Sequence, residues 1–586
     1  MKPKYKSVID KSFMGLLPVQ IIIITVSSIN SIIDGVVASR FAGPDALAVI
    51  ALFLPVVKTL ETVNTIFLGG SQILCGQYIG KNKIRQSSSV FSTDMLFTLI
   101  IGLAAGVVCC AFCGGVASLF VKDLEIIRQL SDYIRGYSFG IIPMLLVPQL
   151  TAFLQMERRE NRTYIGMAAM IVLNITLDVL FVSVFKMGMF GLGLATSIAN
   201  FAFFAVMAGY YLFRDSVIKL DFRAVDPKEV KNIIRIGFPG AVNNLGQTVR
   251  SILLNIIMLT FVGNDGISAF SAVYAFGCLF WAASGGVSNA VRILSSIYAG
   301  EEDRTGLHTI MKTALTRGLG LISAVAVACM LLSPVFTRFF YGPEAGAVYK
   351  MTLTGFLLFP ITMPFSCLCC VFSAYYQCLD RMKPVNILTF ADGLFGVIAF
   401  GFLLAPLLGM TGVWLAHIAN GLLTTLIILV YTVLFNGHMP KTLEDLLVLK
   451  EDFGVSPQDR IDIAVRDMNG VIDLSESIIA FSRAHGIDER RAMISGLCIE
   501  EMTGNIVSHG FDGKKDYNID VRVVYKEGSL LIRLKDNCRL FNPKEVQDLF
   551  DPEDVTHNVG LRLVSKIAES MSYNNALGIN VLTITI

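Results

Sequence analysis

The chain has 586 residues, of which 54% are hydrophobic and only 16% charged, with a mean hydropathy of +0.63; soluble domains carry about 25% charge, so a protein soluble throughout is excluded, as are disordered and collagenous chains. The formal net charge of +2 hides a break near Met439. The first 440 residues are about 12% charged and near +9, the last 146 about 28% charged and near −7, the composition of a membrane protein carrying a soluble domain.

A bilayer core of roughly 30 Å takes about 20 apolar residues per helix. Such stretches run at about 13–38, 46–77, 92–117, 128–153, 163–185, 190–213, 233–262, 266–299, 309–333, 346–378, 384–406 and 411–436, predicting twelve transmembrane helices, the longer ones tilted. The first is too long for a cleaved signal peptide and has eleven similar spans behind it. Lys2, Lys4, Lys6 and Lys11 precede it, Lys81, Lys83 and Arg85 follow the second, and Arg158, Arg159 and Arg162 follow the fourth. Six more basic residues, from Arg214 to Arg235, lie between the sixth and seventh. Basic residues in alternate loops put both termini on the cytoplasmic side of the cell's inner (plasma) membrane.

The two six-helix halves read as parallel copies. Phe41-Ala42-Gly43-Pro44-Asp45-Ala46 recurs as Phe261-Val262-Gly263-Asn264-Asp265-Gly266, and Gly80 recurs as Gly300, Phe120 as Phe340 and Asn200 as Asn420, all at a shift of 220. Parallel repeats of this kind enclose a substrate cavity between lobes that rock against each other, a use that an anchor does not have.

Intramembrane acids are costly and therefore candidates for function. Asp34 falls late in the first span, and Asn174 and Asp178 are four residues apart in the fifth, so amide and carboxylate share one face where they can hold a cation or a proton. Thr196 adds a hydroxyl from the sixth. The alternative is that Asp34 and Asp178 are wetted, structural residues near helix ends. Lys58 and Glu61 can neutralise each other; Arg250, Arg292 and Asp392 either line the cleft or pair internally. Cys109, Cys110 and Cys113, like Cys367, Cys369 and Cys370, have no His or acid nearby to complete a metal site and read as small packing residues.

The runs Asn174-Ile-Thr-Leu-Asp178-Val-Leu-Phe, Ser31-Ile-Ile-Asp34-Gly, Gly43-Pro-Asp-Ala-Leu-Ala48 and Ala195-Thr196-Ser-Ile-Ala-Asn200 resemble the multidrug and toxic compound extrusion (MATE) family over roughly residues 10–436. The resemblance implies an antiporter that exports small organic compounds by alternating access, driven by H⁺ or Na⁺ entry. It also implies that Asp34, Asn174, Asp178 and Thr196 form the cation or proton site of the first lobe. At the shift of 220, Leu254 stands for Asp34 and Ala416 for Thr196, so coupling is expected in the first lobe alone.

After a charged linker (437–460), Val471–Arg483 and Asp488–His509 read as helices, Tyr517–Tyr525 and Ser529–Lys535 as strands, Leu561–Ser570 as a helix and Gly578–Ile586 as a last strand. This is a layered α+β sandwich domain. Glu501 and Asn505 share a helix face and can hold a water and Mg²⁺, and Asp536 follows a strand. With Gly560-Leu-Arg-Leu-Val-Ser-Lys, these segments resemble the GHKL ATP-binding fold in its anti-sigma-factor, histidine-kinase-like form. The resemblance implies that Asn505 binds Mg²⁺, Glu501 is the catalytic base, Asp536 reads the adenine amine and Gly560 sits by the phosphates of Mg·ATP. Cys538 and His557-Asn558-Val559 stand where that family has glycines, which opens a nucleotide-free regulatory module as the alternative.

The expected organisation is therefore a first lobe (1–215), a second lobe (216–436), the linker (437–460) and a cytoplasmic domain (461–586). The expected partners are a small organic substrate and the lipid bilayer, with a cytoplasmic regulatory protein open and no nucleic acid. Rival readings are a membrane sensor with an anti-sigma-type serine kinase and a flippase for lipid-linked precursors. His438 and His485 lack the preceding helical hairpin of a phosphoacceptor, which argues against a histidine autokinase.

Overall fold

The computed structural model describes residues 8–41, 44–213, 216–451, 453–511, 517–526, 528–538 and 568–586. The first helical half contains α1 (Val8–Phe41), α2 (Pro44–Gly80), α3 (Ile84–Ala111), α4 (Leu124–Ser138), α5 (Ile141–Met156), α6 (Glu160–Val179) and α7 (Gly188–Phe213). The second contains α8 (Pro227–Phe261), α9 (Asn264–Gly300), α10 (Arg304–Thr313), α11 (Leu319–Leu331), α12 (Ala347–Leu358), α13 (Thr362–Cys378), α14 (Met382–Phe390), α15 (Gly396–Leu408) and α16 (Met410–Asn436). The starts are encoded locally. Asp123, Asp226 and Asp303 each accept backbone N–H bonds at a helix N-terminus, and Pro227 occupies the first turn of α8.

Among the described residues, nine helical stretches are long and apolar enough to cross a membrane, or up to eleven if α4 with α5, bent by 46°, and the two parts of α9, bent by 42°, each count as one span. The sequence reading of twelve also counts α8, where Asn243, Asn244, Gln247 and Arg250 dilute the apolar run.

The duplication is visible in the helix bounds: α2 and α9 both run 37 residues and start 220 apart. These two helices cross at glycines. A Cβ on Gly80 would stand 2.1 Å from the Ile297 carbonyl oxygen, and one on Gly300 would stand 2.2 Å from that of Gln77. Residues 77 and 297, like 80 and 300, are 220 apart, so the crossing is self-matched. A second close approach joins α2 to α8, with Gly70 against Ile233 and Gly237 against Ile66. Small residues let backbones meet where lipid offers no hydrophobic drive for association. Gly80→Ala therefore has no room; overpacking costs about 1–3 kcal/mol, and we expect a lowered midpoint of thermal unfolding for the purified variant.

The soluble domain is an antiparallel sheet ordered β1-β2-β3-β5-β4, with β1 Arg460–Val465, β2 Ile519–Lys526, β3 Ser529–Asp536, β4 Ser570–Ala576 and β5 Ile579–Thr585. Helices α17 (Met468–Ala484) and α18 (Glu489–Asn505) cover one face. The core joins Val471, Leu474 and Ile478 to the inward residues of the strands, among them Ile519, Val521, Val523, Ile532, Leu534 and Ile584. Two strands differ from the sequence reading. β1 begins at Arg460, inside what reads as linker. Ser570, expected to end a helix, opens β4, whose Ser-Met-Ser-Tyr-Asn-Asn-Ala run has weak β-propensity and is held as an edge strand by pairing with β5. The rest of the expected 561–570 helix lies outside the described residues.

Candidate functional site

In the first lobe, α6 brings Asn174 and Asp178 together. Each is about 3% exposed, and the amide Nδ2 of Asn174 donates to Asp178 Oδ2 at 3.2 Å. The i, i+4 spacing on an unbroken helix produces this pair, and a wider π-turn (Leu180–Val184) follows it directly. Thr196 lies on α7, but its hydroxyl donates to the Leu192 carbonyl of its own helix at 3.1 Å. Asp34 is on α1, with its side chain outside the described residues.

A further buried acid escaped the sequence reading. Asp94 is 0% exposed on α3, accepting from the Ser71 hydroxyl at 3.2 Å and the Thr98 hydroxyl at 3.4 Å, with the Gln149 amide beside it. The third span reads from residue 92, which leaves Asp94 at a wet end; the helix starts at Ile84 and carries it ten residues, about 15 Å, inward. At the second-lobe positions matching Asp34 and Thr196, Leu254 and Ala416 are buried apolar residues. That lobe has its own polar cavity of about 220 Å³, where Arg250 donates to the Asp392 backbone carbonyl at 2.8 Å and Asn420 donates to the Asp392 carboxylate at 2.9 Å. Of the two readings for Arg250 and Asp392, the internal one describes them: they are bonded to each other inside the second lobe, where they line its cavity. Lys58 and Glu61 form the expected ion pair at 2.7 Å, exposed.

In the soluble domain Glu501 and Asn505 are both partly buried on α18, and their carboxylate and amide oxygens are of the hard type that Mg²⁺ takes. Asp536, buried at the end of β3, accepts from Asn580 Nδ2 at 2.8 Å and from the Cys538 backbone N–H at 2.9 Å. Burial pushes its carboxyl above the ordinary carboxylate range, against the opposing effect of those bonds. The Cys538 side chain fills space beside Gly510, whose Cβ, were it present, would lie 3.3 Å from that of Cys538. A glycine at 538 would leave this space open for backbone approach. Gly560 lies outside the described residues.

The other face of the sheet carries an arrangement that the sequence reading leaves unassigned. Strand alternation sends Asp520, Arg522, Arg533 and Lys535 away from the domain core and onto loops of both helical halves. Arg522 lies directly opposite Arg533 in the register, an unfavourable pairing unless anions intervene. The turn after α9 supplies them: Asp303 pairs with Arg522, and Glu301, 3% exposed, meets Lys535 at 2.5 Å and Arg533 at 3.3 Å. Burial raises the Asp303 carboxyl, but the Arg522 and Lys535 charges and the Gly306 N–H outweigh that and hold it below the usual range.

First-lobe contacts complete the seat. Arg533 reaches the Gly80 carbonyl at 3.5 Å, Asn82 donates to Ser572, and the Val8 N–H donates to Asp520 at 3.0 Å. Leu577 adopts a left-handed conformation (φ 57°), costly without glycine, and its N–H donates to the Met156 carbonyl at 2.8 Å. The β4–β5 turn is thus fixed by the lobe it touches, and Leu577, Ile579 and Val581 are buried in one hydrophobic cluster with residues of the helical halves. The sequence does hold a signal. At the shift of 220, Glu301-Glu302-Asp303 replaces Lys81-Asn82-Lys83, an acidic run where the copy is basic.

The chain matches the MatE family profile over residues 18–180 and 239–403, and the profile of the histidine kinase-like ATPase domain over 469–586. It is 24% identical over 322 residues to "Probable multidrug resistance protein YoeA" of Bacillus subtilis (strain 168), covering 53% of this chain and 68% of that protein. It is 22% identical over 408 residues to "Multidrug export protein MepA" of Staphylococcus haemolyticus (strain JCSC1435), covering 67% of this chain and 88% of that one. Among solved structures, "Crystal structure of MATE in complex with MaL6" superposes with a TM-score of 0.67 at 21% identity, over 72% of this chain and 94% of that one. An outward-facing multidrug resistance MATE family transporter gives 0.66 with the same identity and coverage. One block of the first profile falls in each helical half and together they span more than half of the sequence: the chain belongs to the MatE family, and a histidine kinase-like ATPase domain ends it.

Proposed function

We propose that the protein is a cation-coupled antiporter that exports small organic compounds by rocking its two lobes, with α8 as the twelfth span and both termini in the cytoplasm. The observation that carries this reading is the buried Asn174–Asp178 pair, a carboxylate with a polar neighbour inside a membrane helix. Asp34 and Thr196 complete the proposed site. Asp178 supplies the charge that an entering cation or proton neutralises, and Asn174 fixes the carboxylate by donating to one oxygen. The similarity to a probable multidrug resistance protein and to a multidrug export protein supports the export direction. Vesicles with imposed Na⁺ or proton gradients test the reading: export of an organic probe, the cation ethidium or the anion 2-naphthoate, should follow one gradient and not the other, and export of neither probe under either gradient would overturn it.

The soluble domain controls transport instead of driving it, because its basic face bridges loops of both lobes at the Gly80–Gly300 crossing. When bound, Mg·ATP would be held by Asn505 and Asp536, with Gly560 by the phosphates and Glu501 as the candidate base. Cys538 obstructs the approach of backbone to the nucleotide, and losing two amide contacts at about 1 kcal/mol each weakens binding more than tenfold. Calorimetry on the full chain should give an ATP affinity weaker than micromolar, lost in Asn505→Ala and tightened in Cys538→Gly.

A further inference from the structure

Between the lobes, a cavity of about 230 Å³ is walled by α1, α2, α5, α6 and α7 on one side and by α9 on the other. Its polar lining is made of amides and hydroxyls, chiefly Gln20, Gln72, Gln155 and Asn289, over an apolar floor that includes Leu68 and Phe203. Arg292 of α9 is its single charged lining residue among the described residues. The Nε of that guanidinium is enclosed and has no hydrogen-bond partner among the described residues. The residue forms no ion pair with any described carboxylate, and its backbone carbonyl, not its side chain, is what Cys378 touches. Asp34 stands ten residues beyond the lining residue Ile24, about 15 Å further along α1.

An arginine inside a membrane protein pairs with a carboxylate, a phosphate or backbone carbonyls, because the charge is otherwise costly to hold there. Here the neighbours are amides, which can donate alongside it but neutralise nothing. The fork of a guanidinium matches a carboxylate bidentately. Eight residues, about 12 Å of helix, separate Arg292 from the Gly300 crossing, which puts the cavity on the route that a rocking transporter opens and closes.

We propose that Arg292 is the cargo-recognition residue of this cavity and that the cargo is a small amphipathic organic carboxylate, its anion on Arg292 and the amides, its apolar body on the opposite wall. This rests on the transport reading but is tested by binding alone. Calorimetry on the detergent-purified full chain, with 2-naphthoate and naphthalene-2-carboxamide as isosteric probes, should show at least tenfold tighter binding of the anion. Arg292→Gln should bring the two affinities within twofold of each other while leaving the amide's unchanged, and Arg292→Lys should keep part of the preference. Equal wild-type affinities, an undiminished preference in Arg292→Gln, or no binding of either probe at millimolar concentration would each overturn the proposal. The wild-type comparison stands even if Arg292→Gln does not fold. Gradient-driven ethidium export in the same preparation is scored separately, so a protein that moves ethidium and ignores the carboxylate refutes the cargo class and leaves the antiporter.

Discussion

Asp178→Asn is expected to fold and insert yet to lose at least nine-tenths of gradient-driven export. The substitution keeps the shape and removes the only charge of the Asn174 pair, so a cation entering the lobe finds two amides where it had a carboxylate. Stability should hold or rise, because a neutral group replaces an acid that is about 3% exposed, and burying a carboxylate is what costs free energy in an apolar setting. The two readouts thus move in opposite directions, which a merely structural Asp178 would not produce. Asn174→Ala should give a smaller loss, since the carboxylate survives without its orienting amide. Undiminished export by Asp178→Asn, measured in vesicles under a fixed gradient, would remove this residue from the coupling site.

That pair was legible in the sequence for a geometric reason: an i, i+4 amide and acid within an apolar run share a helix face wherever the boundaries fall. Asp94 was not, because its meaning depends on the boundary. A start at 92 leaves it wetted, and a start at Ile84 buries it. The lobes and their duplication could be read because Gly80 and Gly300 are spaced as copies, yet nothing local says that these two glycines touch each other's helices. The sheet's outer face failed differently. Alternating Asp520, Arg522, Arg533 and Lys535 look like any solvated strand surface, and only the tertiary placement of Glu301 and Asp303 turns them into a buried ionic seat. β4 was missed because its partner strand, not its own residues, makes it a strand.

Arg522→Glu is expected to release the soluble domain from the lobes and to raise the export rate. Breaking a buried ion pair by removing one partner costs about 3–5 kcal/mol, and reversal adds repulsion against Asp303 and Asp462, both of which face Arg522. That is far more than an exposed pair such as Lys526–Glu302 could contribute. Docking can be read from a disulfide between Asn82→Cys and Ser572→Cys, two positions already in hydrogen-bond contact. The cross-link should form readily in the parent chain and poorly with Arg522→Glu, and Asp303→Arg should restore it by exchanging the two charges. Because the Asp303 carboxyl lies below the ordinary range, its contribution is fully present above the usual carboxylate pKa and is lost only as pH falls through its lowered value; the Asp303–Arg522 pair should therefore survive mild acidification to pH 5. For transport, the sheet seats on the turns at Gly80 of the first lobe and Glu301 of the second, across the crossing that must part if that side is to open. The formed cross-link should consequently arrest export, and a reductant should restore it. A truncation lacking 460–586 should export at or above the parent rate. Full export with the disulfide intact would mean that the lobes rock beneath a seated domain, and the control function would have to be given up.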